Sequence, residues 1–424
     1  ALVQDGQLIA AAEEERFSRI KHAAGFPHKA IRYCLDEAGI TPREIDAIAI
    51  SRNPHVHLFD KVWLTLQKGL FRTGVQNRLQ NMSKITDVKT TFCEGFGLQP
   101  HDIKAKVHLV EHHRAHLASS FYPSGYDDAV ILSLDGFGDF VSAMWGVGRG
   151  QEILPEGEVK FPHSLGILYT GLTQYLGFHH WGDEYKVMGL AALGNPETYH
   201  DAIQKLLLHV DGLGYKLDLK YFQHHELKTS MTWAEGSPKL DLLFSEALET
   251  LLGPARTPDS PLEQRHMDIA AALQKMLEET VLRLVQALWD TYKIPRLCYA
   301  GGIALNCVTN GRIIRETPFE EVFVQPAAHD AGTSLGAAFY AAHQDLKEPR
   351  QFVMRHSAWG PSITPQACEQ ALADTGMRAQ SFEDAQLVET TAQALSEGKI
   401  IGWFQGRMEF GPRALGHRSL WPTP

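Results

Sequence analysis

Two imidazoles four residues apart, His112 and His116, stand in the stretch EHHRAHLASSFYPSG. On a helix that spacing stacks both rings on one face, so a single cation can touch both. The apolar run Ala129–Leu134 then delivers Asp135 into a tight glycine turn, DGFGD. Two imidazole nitrogens and a carboxylate oxygen suit zinc, iron or manganese. The same residues have a plainer reading. The chain carries 21 histidines, enough for chance adjacency, and LSLDGFGDFVSAMW alternates as an ordinary hairpin does. Residue types alone leave both open.

Further candidates lie downstream and upstream. Gly301-Gly302 separate an apolar run from a helix start carrying Asn306 and Asn310. Glycines at that junction allow close backbone approach to phosphate or ribose, or simply tight strand–helix packing. His329-Asp330 fall between the strand 321–324 and a helix of small residues, where an aspartate is either a ligand or an N-cap. Arg407, Arg413 and Arg418 sit in RMEFGPRALGHRSL; three guanidiniums in a glycine/proline loop suit an anion, or are exposed loop arginines. The charged run EEERFSRIKH, with Lys21, reads by composition as a solvated face, and Lys186 as a snorkelling side chain.

The elements that position these groups follow from periodicity. Val107–Val110 predicts a short buried strand and Glu111–Tyr122 a helix, broken by Pro123, Ser124 and Gly125. Ala129–Leu134 and Ser142–Gly148 predict strands, and His163–Gly177 a helix with Leu165, Leu168 and Leu172 on one side. His266–Tyr292 is the longest clean helix, its Leu and Ile spacing that of core packing. Ala1–Ala12 reads as a hairpin turning at Asp5-Gly6, Pro27–Ala38 as a helix closed by Gly39, and residues 45 to 51 as a buried strand. Between Asn53 and Gly97 the pattern is weak; Val62–Leu70 and Val75–Met82 are candidate helices. Gln366–Asp374 and Gln386–Glu397 predict short helices, and KIIGWFQG a strand.

Composition sets outer bounds. At 424 residues there is core for two or three domains. Net charge is −10 with no long basic run, which argues against nucleic acid as the main partner. The five cysteines lack CxxC spacing, suggesting neither a zinc knuckle nor a disulfide framework, and a reducing cytoplasmic setting. No apolar run is long enough to span a membrane.

Seven stretches together resemble one family. AEEERFSRIKH, EHHRAHLASSF, LDGFGD, GDEYKVMGLA, GGIALNCVTNGRI, PAAHDAGTSLGAA and WFQGRMEFGPRALGHRS are similar, in order, to segments of the O-carbamoyltransferases that modify antibiotics and Nod factors. The resemblance implies an α/β fold in two parts. Residues 1–348 would form two actin/Hsp70-like (ribonuclease H-like) lobes resembling the tRNA threonylcarbamoyl transferase fold. Residues 349–365 would be a linker and 366–424 an incomplete YrdC-like domain of the kind that makes carbamoyladenylate from ATP and carbamoyl phosphate. The carbamoyl group would then pass to a hydroxyl of a small-molecule acceptor.

Carried onto this sequence, the resemblance implies Fe2+, or another divalent transition metal, on His112, His116, Asp135 and Asp330, with Mg2+ accompanying ATP. Lys21 would face the carbamoyl or phosphate portion; Lys21, His112 and Asp135 would be catalytic. Gly136, Gly138, Gly166, Gly301, Gly302 and Asn306 would border the adenylate, and Arg407 and Arg413 the carbamoyl-phosphate end. His329 stands where the family usually has glycine. The family's first strand, with a histidine motif, and most of its second domain are not matched, so the expectation is a chain truncated at both ends that does not itself make carbamoyladenylate and whose transfer from supplied carbamoyladenylate is at best impaired. Two other readings share parts of the pattern. Threonylcarbamoyl transfer to tRNA shares the first fold but fits neither the acidic charge nor FGPRALGHRS, and a non-catalytic nucleotide-binding remnant shares the fold alone.

Overall fold

The computed structural model describes residues 1–62, 87–209, 212–226, 231–232 and 238–421. Val62–Leu70 and Val75–Met82, read above as candidate helices, fall outside those residues but for Val62.

The chain opens with the hairpin β1 (Leu2–Gln4) and β2 (Gln7–Ala10), turning at Asp5-Gly6 as expected. Helix α1 (His28–Ala38) ends on Gly39 in the left-handed region. A parallel pair follows, β3 (Ala47–Ile50) and β4 (Lys106–Leu109). Both were expected to be buried. Instead β3 is half-buried throughout and β4 carries exposed Lys106 and Val107, because a two-stranded sheet covers at most one face of each strand.

Helix α2 (His112–Ser124) begins at His112, with the Glu111 carboxylate accepting from the amides of His113 and Arg114 at 3.0 and 2.7 Å. It runs two residues past the expected break. Pro123 is tolerated in the last turn, and Gly125, at φ 80°, supplies the left-handed cap.

Three antiparallel strands follow, β5 (Asp128–Gly138), β6 (Val141–Arg149) and β7 (Glu152–Lys160). Then come α3 (Leu165–Tyr175), capped by Ser164 Oγ on the Ile167 amide, and α4 (Glu184–Ala191). The longest helix, α5, spans Gln264–Tyr292. It leads into β8 (Arg296–Ala300), α6 (Cys307–Glu316), β9 (Glu321–Val324) and α7 (Asp330–Tyr340).

Five of these strands form one mixed sheet in the order β9-β8-β5-β6-β7. The β9, β8 and β5 strands are parallel and β5, β6 and β7 antiparallel. Alternation along β5 divides the core. Val130, Leu132 and Leu134 face a cluster with α3 and α5, whereas Ala129 and Ile131 face a second cluster with α2 and α7. On that second side α2 and α7 touch closely: a Cβ on Gly336 of α7 would fall on the Ala115 carbonyl.

Beyond α7 the two ends of the remaining chain differ. Phe352, Met354 and Ala358, in the stretch expected to be a linker, are buried, the first two in the second cluster. Helices α8 (Pro365–Thr375) and α9 (Asp384–Ser396) bury no residue. The hairpin of β10 (Ile401–Phe404) and β11 (Arg418–Trp421) brackets a loop whose Phe410 returns to the second cluster.

Candidate functional site

The chain brings His112 and His116 (α2), Asp135 (β5) and Asp330 (start of α7) together. One ligand atom from each lies within 4.8 Å of all the others. The two Nε2 atoms are 3.1 Å apart. His112 Nε2 is 3.3 Å from Asp135 Oδ2 and 3.6 Å from Asp330 Oδ1, and the His116 distances are 3.7 and 3.9 Å. Four donors about 2.1 Å from a common centre have edges of roughly 3.0–3.5 Å. The observed spacings thus suit one transition ion, and the donor set of two nitrogens and two carboxylates is of the right chemistry. Electrostatics agree. Burial opposes charge on His112, yet the Asp135 hydrogen bond and the charges of Asp330 and Asp135 raise its pKa to about 10. Burial would raise Asp135, but hydrogen bonds from His112 and His116 hold it well below the carboxylate range. The cluster is built to keep positive charge.

Neighbouring groups position part of this cluster. His113, fully buried, pairs Nδ1 with Ser133 Oγ (2.9 Å) and Nε2 with the Val141 carbonyl (3.0 Å), pinning α2 to β5 and β6. Gly138 does not line the cavity described below, and a side chain there would occupy the His112 ring. Asp135 Oδ1 accepts the Gly302 amide at 2.7 Å. Gly301, at φ 92°, packs so tightly that a Cβ would meet the Leu134 carbonyl. The double glycine therefore serves close packing and Asp135, and its second N–H is spent there. His329 occupies the N-cap position of α7, its Nε2 3.5 Å from Glu13 Oε1.

The cluster opens into a cavity of about 790 Å³. Of the residues singled out from sequence, Lys21, Asp135, Gly136, Gly166, Gly302, Asn306, His329, Asp330 and Arg413 line it. Lys21 Nζ and the Arg413 guanidinium lie 5.6 and 5.8 Å from the ring centre of Tyr185, at its rim. Arg407 does not line the cavity. Its guanidinium is bonded to Tyr33 Oη (2.8 Å) and the carbonyls of Trp359 (2.8 Å) and Gly360 (3.0 Å), and pairs with Glu37 at 3.3 Å. Lys186 pairs with Asp183 at 2.8 Å.

Asn306 reaches the wall with its amide already engaged. Its Oδ1 caps α6 on the Thr309 amide (3.0 Å) and accepts from Gln274 Nε2 (3.1 Å), while its Nδ2 donates to Gln274 Oε1 at 2.8 Å. Tyr169 Oη donates to Gln274 Oε1 (3.1 Å), and Gln274 Nε2 also donates to Glu278 (2.7 Å), which meets Arg312 at 2.8 Å. This buried network was missed from sequence; its signal was the polar pair Gln274 and Glu278 on a helix read as core packing. Glu184, taking the Thr170 hydroxyl at 2.7 Å, was missed too, and burial raises its carboxyl.

The Arg413 loop is anchored rather than loose. The Gly411 carbonyl accepts from both Arg16 Nη2 and Arg418 Nη2 at 3.1 Å. Glu409 takes the amides of Leu415 and His417, each at 2.8 Å.

Comparison with known proteins bears on this arrangement. Residues 1–339 match the model of the carbamoyltransferase N-terminus and residues 392–424 that of the carbamoyltransferase C-terminus. An uncharacterized protein of Synechocystis is 40% identical across 100% of this chain and 69% of its own length. Nodulation protein NolNO of Sinorhizobium fredii is 34% identical across 100% of this chain, which spans only 58% of it. A 3'-hydroxymethylcephem-O-carbamoyltransferase of Streptomyces clavuligerus is 31% identical over 38% of this chain and 29% of its own. With most of its length under the family's N-terminal model, the chain belongs to the carbamoyltransferase family.

Proposed function

We propose that this chain carries the transfer site of an ATP-dependent O-carbamoyltransferase, moving a carbamoyl group from carbamoyl phosphate, through carbamoyladenylate, to a hydroxyl of a small molecule. The observation that carries the reading is the four-residue cluster opening on a cavity with two cationic side chains at its rim. His112, His116, Asp135 and Asp330 would hold a divalent iron or similar ion, which when bound supplies Lewis acidity toward a carbonyl oxygen. Lys21 and Arg413 attract the phosphate of the adenylate and favour its departure as an anion. In the step itself the acceptor oxygen bonds to the carbamoyl carbon and the carbon–oxygen bond to AMP breaks. AMP keeps the electron pair, and the hydroxyl proton passes to a base.

The finer fold reading belongs to the same proposal. The five-stranded sheet, with three antiparallel strands continued at one edge by two parallel ones and helices on both faces, is read as one actin/Hsp70-like lobe. Residues 366–424 are read as the start of a YrdC-like part.

The test supplies carbamoyladenylate and a panel of alcohols to the chain and measures metal content alongside. Wild type should hold about one iron or zinc per chain and yield carbamate ester. His112→Ala should lose both. Full metal loading of His112→Ala, or ester formation by it, overturns the assignment.

A further inference from the structure

Parallel pairing of β3 with β4 brings the exits of both strands to one end, where the Val110 amide donates to the Ile50 carbonyl at 2.9 Å. One exit is Ser51 to Asn53. The other runs through Glu111 into the first ligand, His112. From the first exit, Ser51 and Asn53 connect to different ligand-bearing helices.

Ser51 connects to α7 and Asp330. The Asp330 side chain is 68% exposed and makes the widest spacing in the cluster, 3.9 Å to His116 Nε2. No hydrogen-bond donor among the described residues holds its carboxylate, so it is placed through its backbone. Thr333, buried one turn along α7, sets Oγ1 2.6 Å from the Asp330 carbonyl oxygen and 2.6 Å from Ser51 Oγ.

Asn53 connects to α2 and His112. Asp139 Oδ2 accepts the Asn53 amide at 2.7 Å and the His112 amide at 3.1 Å, putting a carboxylate at the start of α2. Asn53 Nδ2 donates to the Leu109 carbonyl at 3.2 Å, which ties this arm back to β4. Asp139 and Phe140 make the β5–β6 turn with φ of 48° and 84°, both in the region that favours glycine. Neither is glycine, and such a turn persists only where its surroundings hold it. The two amides bound to Asp139 are part of that hold.

We propose that Ser51 and Asn53 are positioning residues: they brace α7 against α2 through Thr333 and Asp139, and so set the width of the four-residue cluster. The inference rests on the metal reading of His112, His116, Asp135 and Asp330. None of the four brace residues lines the cavity or supplies a ligand atom. Their effect is on distance. A shift of about 0.5 Å between Asp330 and the imidazoles matters to an ion whose bonds are about 2.1 Å long.

The test titrates zinc into the purified metal-free chain against a chromophoric chelator and records the visible absorption of the cobalt-loaded chain. Ser51→Ala, which leaves the Thr333 contact to Asp330 in place, and Asp139→Ala should each cost about tenfold in zinc affinity and shift the cobalt band. Asp139→Asn, which keeps an acceptor oxygen for both amides, should stay near wild type. Urea unfolding of the metal-free proteins separates positioning from folding, since a variant that is only less stable keeps the wild-type cobalt band in its folded fraction. Wild-type zinc affinity in both alanine variants, or a wild-type cobalt band in both, overturns the brace and leaves the metal reading standing. A wild-type chain that takes neither zinc nor cobalt fails the metal reading, and the brace with it.

Discussion

Helices α2 and α9 are both thirteen residues long, yet one buries twelve of them and the other none. From sequence α9 is the more conventional amphipathic helix, and the apolar residues of α2 share its turns with histidines and serines. The reason is that α2 is enclosed on every side by partners of different kinds. Leu117, Ala118 and Phe121 meet the second core cluster, and His112 and His116 meet Asp135 and Asp330. Its serines satisfy themselves: Ser119, Ser120 and Ser124 donate to the carbonyls three residues earlier at 2.7, 3.1 and 2.7 Å. Periodicity reports burial on one side of a helix. It says little about a helix buried all round.

The contrast can be broken most severely at the α2–α7 contact. Gly336→Ala should destabilise the fold by about 3 kcal/mol or more, measured by chemical denaturation, because the added methyl falls on backbone that α2 cannot yield. A milder result would mean that α2 is less firmly held than its burial implies.

A second, smaller effect concerns pH at the loop that meets α7. Burial raises the Glu13 carboxyl from an ordinary value of 4.5 to about 7, Arg16 opposing and Glu15 adding. The folded chain therefore binds more protons than the unfolded chain between those values. The Glu13 contribution is fully present below about 4.5 and is lost as pH rises through about 7. Glu13→Gln should flatten this decline, seen as a smaller stability difference between about pH 5 and about pH 8. An unchanged slope would place the titration elsewhere.

The least effect is expected in α9. Val388 is 64% exposed, and Val388→Glu should shift stability by no more than about 0.5 kcal/mol. A larger loss would show that α9 has a partner surface in solution.

Much of the site was legible because it depends on local spacing. His112 and His116 share a helix face, and Asp135 ends a strand whose apolar run announced it. Asp330 was legible only through the family resemblance, since by itself it reads as a cap. What the sequence hid depends on distant pairing. The sheet places β8 between β5 and β9, far apart along the chain, and that order brings Gly302 to Asp135. Arg407 looked like an anion ligand because nothing local reveals Tyr33 and Trp359 waiting for it. Phe352 and Met354 looked like linker because two apolar residues in an irregular stretch have no period to read.

The grip of Arg16 and Arg418 on the Gly411 carbonyl has a bearing on biosynthesis. As the polypeptide leaves the ribosome, the Arg16 guanidinium waits for a carbonyl made some four hundred residues later. Until that peptide emerges, Arg413 is missing from the rim, and the nascent chain lacks one wall of the cavity. Completion of the chamber is thus timed to the end of this stretch of translation.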